Sequence, residues 1–178
     1  MANVTIEPDF SLSIENDDFR QSPNGIACTF LQIGNTGLKL YRSKRSRDLS
    51  YSNQLKLSEW GVAPTVGMKT EVMVKSAMGD RTYYAFETEI VECADRRHHN
   101  GLCNDTSPEG YATSQAYIKP FRNALCELRA ALEGCPEYVN WIDDHTFNVG
   151  ITSDGRPVLI DCADNLFGNG NVNAVIPD

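Results

Sequence analysis

Long apolar runs are missing from this chain. Its longest apolar stretches fall far short of the roughly 18 residues that a membrane-spanning helix requires, so no span is expected. No CxxC pair occurs among the six cysteines, Cys28, Cys93, Cys103, Cys126, Cys135 and Cys162. That removes the common ligand spacing of a structural zinc site. The first fifteen residues carry acids and no apolar core, so no secretory signal is read there. The thiols are therefore expected to be reduced, and mostly buried as small hydrophobes, in a cytoplasmic protein.

Positive charge is also scarce. Sixteen Lys and Arg stand against twenty-four Asp and Glu, a formal charge of -8. Such a chain repels nucleic-acid phosphate at long range, so nonspecific nucleic-acid binding is not expected. One basic run, Arg42 to Arg47, departs from this and reads as a solvated loop. The acids are spread rather than blocked, which suits a basic protein partner better than mimicry of DNA. With 178 residues, 41% of them apolar, the chain has enough material for one compact domain with a real core. A sheet lobe over 1–92 and a helical lobe over 93–178 are expected.

Periodicity supplies the outline. An edge strand is expected around Phe10 to Ile14, then a turn at Ser22-Pro23-Asn24-Gly25. A strand from Ile26 to Ile33 and another from Leu38 to Tyr41 flank a turn at Gly34 to Gly37. Leu38 and Leu40 then share one face, with Lys39 on the other. Asp48 to Trp60 reads as a helix on the spacing of Leu49, Asn53, Leu57 and Trp60, capped by Asp48 or Ser46 and ended by Gly61. Strands at Glu71 to Ala77 and Thr82 to Ile90 follow, joined by a turn at Met78 to Arg81.

Residues 94–111 are polar and read as a loop. His98 and His99, with Cys93 or Cys103, raise a zinc reading, but adjacent histidines lack the usual ligand spacing. Ser114 to Leu132 carries a helical stripe of Tyr117, Phe121, Leu125, Leu128 and Leu132, with Pro120 marking a kink or a first turn. Asn148 to Ile151 and Pro157 to Asp161 form a hairpin around Ser153 to Arg156. The Gly- and Asn-rich tail after Leu166 is expected to be loose.

That hairpin places Asn148 just before one strand and Asp161 at the end of the other. Asp143 precedes Asn148 by five residues. An amide and two carboxylates converging there would offer oxygen ligands to a hard cation such as magnesium. A lysine on the earlier sheet is a natural partner for phosphates opposite such a cation. Asp143 and Asp144 as plain turn caps, and Lys39 as a solvent-facing strand residue, are the simpler readings.

The stretch Asp143-Asp144-His145-Thr146-Phe147-Asn148-Val149-Gly150-Ile151, followed by Asp154 to Asp161, resembles the catalytic loop and metal-binding strand pair of the protein-kinase-like superfamily. The resemblance is to its aminoglycoside-phosphotransferase and atypical-kinase branches and spans roughly residues 25–165. It implies a minimal α+β fold, with an antiparallel N-terminal sheet, one helix and a much reduced C-terminal lobe. It implies Asp143 as the catalytic carboxylate, Asn148 and Asp161 as magnesium ligands, and Lys39 at the phosphates of ATP. His145 matches a histidine that some small-molecule kinases place two residues after that aspartate; stabilising the loop or helping to place the phosphate is the role this implies, and a satisfied structural histidine is an equal alternative.

The pattern also has departures. No GxGxxG loop is present, Cys162-Ala163 replaces Phe-Gly after Asp161, and the early helix offers no glutamate to Lys39. Two functions follow from the resemblance: a Mg-ATP-dependent phosphotransferase acting on a protein or small-molecule hydroxyl, or an inactive pseudokinase that binds a partner protein. Its small size suits a phage or viral accessory protein.

Overall fold

The computed structural model describes residues 3–6, 12–15, 28–75, 79–135 and 145–162. The expected turn at Ser22 to Gly25, Met78 of the later turn, Asp143, Asp144 and the tail after Leu166 lie outside these. The architecture is α+β, and the chain divides into two compact units: 1–52 with 65–90, and 53–64 with 91–178.

The first unit is built on a six-stranded sheet. Its strands are β1 (Asn3–Ile6), β2 (Leu12–Glu15), β3 (Cys28–Ile33), β4 (Thr36–Tyr41), β5 (Val66–Lys75) and β6 (Arg81–Thr88), in the order β1-β2-β5-β6-β4-β3. All neighbours are antiparallel except β2 and β5, which run parallel. The expected edge strand is therefore β2, but β1 lies outside it and takes the edge. Gly34, at φ +57°, makes the two-residue turn between β3 and β4.

Strand alternation separates two faces of this sheet. Leu38, Leu40, Val72, Val74, Tyr83 and Ala85 pack on one. Lys39, Tyr41 and Phe86 lie on the other, where Tyr41 stacks on Phe86 at 5.9 Å. The first half of α1 (Lys44–Glu59) meets this second face. Tyr51 sets its ring edge against Phe86 at 5.4 Å, and Ser50 Oγ lies 2.6 Å from the Tyr41 hydroxyl.

α1 begins four residues earlier than its apolar spacing suggests. Ser43 is the cap: its Oγ accepts from the Ser46 N–H at 3.1 Å, displacing Asp48 and Ser46 from that role. The basic run is thus largely helix rather than loop. Arg47 is buried, donating to Asp48 at 2.7 Å and to the Ala85 carbonyl at 3.5 Å. The helix ends where Gly61 takes φ +73°. There the Gly61 N–H reaches the Ser58 carbonyl and the Val62 N–H reaches that of Leu57, both at 3.0 Å.

The second unit holds the end of α1, then β7 (Glu92–Cys93), α2 (Arg96–Cys103), α3 (Pro108–Glu133), a 3-10 turn (Thr146–Asn148), β8 (Val149–Ile151) and β9 (Pro157–Leu159). The expected loop over 94–111 thus contains α2 and the start of α3. Asp95 starts α2 by accepting from the backbone N–H groups of Arg97 and His98, and Ser107 caps α3 with Pro108 in its first turn. Pro120 consequently sits inside α3, not at its start.

The stripe of α3 packs as its spacing suggests. Phe121, Leu125, Leu128 and Leu132 are buried, and the latter three join Leu57, Val62, Ala63, Val149, Leu159 and Cys162 in one core. A second cluster holds Ala94, Ile118 and Phe121, with Tyr117, Phe147 and Ile151 against it. β7, β8 and β9 form an antiparallel sheet with β8 in the middle. Of the cysteine side chains described, Cys135 and Cys162 are buried while Cys93, Cys103 and Cys126 are exposed. The expectation of mostly buried thiols is corrected on this point: three of them sit on helix surfaces or a short edge strand.

Among the described residues, no helix is long and apolar enough to cross a membrane.

Candidate functional site

The β8-β9 hairpin turns through Thr152–Arg156. The Thr152 N–H donates to the Arg156 carbonyl at 3.0 Å, and the Thr152 hydroxyl bonds the Asp154 carboxylate. That hydroxyl is the main reason the Asp154 carboxyl lies below its usual value. Gly155, at φ +85°, completes the turn. The hairpin's open end is closed by one further backbone bond, in which the Ile160 N–H donates to the Asn148 carbonyl at 3.0 Å.

This bond puts Asn148 and Asp161 at the same end of the hairpin. Asn148 is half-buried in the 3-10 turn, which its own N–H closes onto the His145 carbonyl at 3.0 Å. It belongs to that turn rather than to the strand expected to begin there. Asp161 is exposed, one residue beyond Ile160. Cys162 is fully buried, in keeping with a packing role, and its carbonyl accepts a 3.2 Å bond from Asn53 Nδ2. Asn53 stands on α1 within the same unit.

Around His145 the surroundings are aromatic and cationic. Arg96 of α2 donates to His145 Nε2 at 3.3 Å and lies over the Phe147 ring at 4.9 Å. A guanidinium has no acceptor, so Nε2 accepts with its lone pair. The Asp95 carboxylate before it is held below its usual value by the N–H groups of His98 and then Arg97.

Lys39 belongs to the first unit and Asn148, His145 and Asp161 to the second. Asp143 lies outside the described residues. The solvent-facing reading of Lys39 is corrected. It sits on an inner strand, in register between Phe30 of β3 and Phe86 of β6, only 8% exposed, with its amine 5.9 Å from the Phe86 ring. On α1, the Asp48 carboxylate takes Lys69 at 2.9 Å as well as Arg47 at 2.7 Å. Burial would raise the Asp48 carboxyl, but the hydrogen bonds and charges of Lys69 and Arg47 together hold it below its usual value.

The oxygen donors of Asn148 and Asp161 fit a hard cation in kind, and the exposed carboxylate leaves room for retained water. Among the described residues, no group of three or more His, Cys, Asp and Glu side chains is placed to hold a metal. Of the three residues expected to hold a cation, Asn148 and Asp161 lie at the hairpin end.

Sequence reasoning missed Arg96 and Asn53. Arg96 lay in a polar stretch without apolar period, and the capping residue Asp95 was its one available signal. Asn53 was counted in the helical stripe, where an amide among apolar positions marks a buried hydrogen bond. No protein-family model matches this chain, and no curated protein or solved structure matches it significantly.

Proposed function

We infer that this is a minimal kinase-like protein that binds a magnesium-nucleotide and transfers phosphate to a hydroxyl of a protein or small molecule. The observation that carries this reading is the Ile160-to-Asn148 backbone bond, which brings Asn148 and Asp161 to one hairpin end. In this reading Asn148 and Asp161 hold magnesium through their side-chain oxygens, and Asp143 takes the proton of the acceptor hydroxyl. The phosphate-contacting role that the resemblance implies for Lys39 is tested by substitution below, and His145, with Arg96 against it, orders the loop or helps to place the phosphate.

A partner-binding pseudokinase is the second reading. One feature favours it: the sequence has no GxGxxG loop to cover a nucleotide's phosphates. Thermal unfolding with and without Mg-ATP, together with an ADP-release assay, separates the two. Nucleotide at a hundredfold excess over Kd stabilises a single-site protein by about 2.7 kcal/mol. The phosphotransferase reading expects a magnesium-dependent shift, lost in Asp161→Asn and reduced in Lys39→Met, with ADP formed by the unaltered protein. A shift without ADP formation supports the pseudokinase. No shift and no ADP formation overturns the phosphotransferase and favours the partner-binding reading, which needs no nucleotide.

A further inference from the structure

Away from the hairpin, α2 brings together two side chains with different chemistry. His99 and Cys103 are four residues apart and therefore neighbours on one helical face. Cys103 Sγ lies 3.7 Å from His99 Nε2 and 3.9 Å from Nδ1. Cys103 is exposed and His99 half-buried, so the pair opens to solvent while its imidazole is partly enclosed.

We propose that His99 and Cys103 form a two-ligand chelate for a borderline or soft divalent cation, of the class of zinc or cadmium. The separation is the first reason. A tetrahedral ion with about 2.3 Å to sulfur and about 2.0 Å to nitrogen needs the two ligand atoms about 3.5 Å apart. The observed 3.7 Å is close to that distance. The near-equal distances to the two ring nitrogens show that the sulfur is off the Nε2 lone-pair direction, so binding requires a torsional change of the Cys103 or His99 side chain.

Support for the imidazole is the second reason. The His99 ring stacks near Tyr117 at 6.2 Å and lies 5.8 Å from Phe147. Tyr117 also anchors the start of α2, because its hydroxyl accepts from the Asp95 N–H at 2.7 Å. The imidazole is thus partly ordered before any ion arrives, while cysteine has a single side-chain torsion to fix. Ligand chemistry is the third reason, since imidazole with thiolate favours zinc-like ions over magnesium or calcium. The i, i+4 geometry supplies what the adjacent His98-His99 pair lacks.

As the metal–sulfur bond forms, the thiol proton leaves to solvent, and His99 must be neutral; binding therefore strengthens as pH rises. Two coordination positions remain for water or an outside ligand. The site does not depend on the magnesium-nucleotide reading, because it uses different residues and a different class of ion.

The test is titration of the reduced protein with cadmium, read by the thiolate-to-cadmium charge-transfer band and by calorimetric stoichiometry. The expected result is a saturable one-to-one event. It is lost in Cys103→Ser and weakened at least tenfold in His99→Ala, but unchanged in Cys93→Ser and His98→Ala. Circular dichroism of each variant verifies that α2 and α3 remain folded. Equal affinity in His99→Ala would show simple thiolate capture and overturn the chelate. Loss of the band in Cys93→Ser, with Cys103→Ser unaffected, would also overturn it.

Discussion

Asn53 Nδ2 donates a 3.2 Å hydrogen bond to the carbonyl of Cys162, and both residues are buried. The bond reaches from α1 to the backbone immediately after Asp161. An alanine at position 53 leaves that carbonyl without its amide donor, at a cost of about 1–3 kcal/mol. Asn53→Asp is expected to cost more, because a carboxylate there turns an acceptor, and at neutral pH a charge, towards the carbonyl oxygen. Urea unfolding of the two variants checks the order. If aspartate is tolerated better than alanine, the amide is not the donor that matters.

Asp48 gives a pH-dependent prediction. Its folded carboxyl titrates below the ordinary value near 3.8, so its contribution is complete above that pH and fades as pH falls through the lower folded value. Asp48→Asn keeps the shape and removes the charge that Arg47 and Lys69 share. The expected loss near neutral pH is about 1–2 kcal/mol, kept modest because Lys69 is 40% exposed and solvent screens its charge. Unfolding curves of protein and variant should converge as pH falls through the lowered folded value of Asp48. A gap that persists there would assign the effect to packing.

Gly150 occupies the middle strand of the β7-β8-β9 sheet. A methyl group added there would press into the side chains of Val91 and Ile160, with little space to yield. Gly150→Ala is expected to destabilise by about 1–3 kcal/mol, as overpacking of a filled interior does. Gly155→Ala tests a different cost, that of forcing φ +85° on a residue with a Cβ, and meets no neighbour. A chemical-denaturation comparison distinguishes them. Gly150→Ala perturbs the hairpin interior, whereas Gly155→Ala acts through the turn conformation alone.

The elements read best from sequence were those whose buried face is apolar. α3 showed Phe121, Leu125, Leu128 and Leu132 at helical spacing, and the β8-β9 hairpin showed Gly155 in its turn. α2 escaped notice because none of its residues is buried, leaving no apolar period to detect. α1 was found but misaligned for a related reason. Its buried residues include Arg47, Ser50, Asn53 and Gln54 beside Leu57, each polar member held by a hydrogen bond. Apolar spacing cannot report a polar buried face. The same limit applied to the hairpin end: the register of Asn148 and Asp161 followed from two short strands, whereas the Arg96–His145 contact depends on a helix that periodicity did not reveal.

That misalignment can be tested directly. The helical spacing sets Leu57 and Trp60 on one stripe, but Leu57 is fully buried and Trp60 is 54% exposed. Gly61 turns the chain out of the helix immediately after Trp60, while the Val62 N–H folds back to the Leu57 carbonyl and Leu57 packs into the core with Leu128 and Leu159. Leu57→Ala removes atoms from that filled space and leaves a cavity, at a cost of about 2–5 kcal/mol. Trp60→Ala deletes a larger side chain from a largely solvated position and is expected to shift stability by no more than about 0.5 kcal/mol. Denaturant midpoints of the two variants decide the matter. A tryptophan variant as damaged as the leucine variant would place Trp60 in an interface, and the polar buried face described for α1 would need to be redrawn.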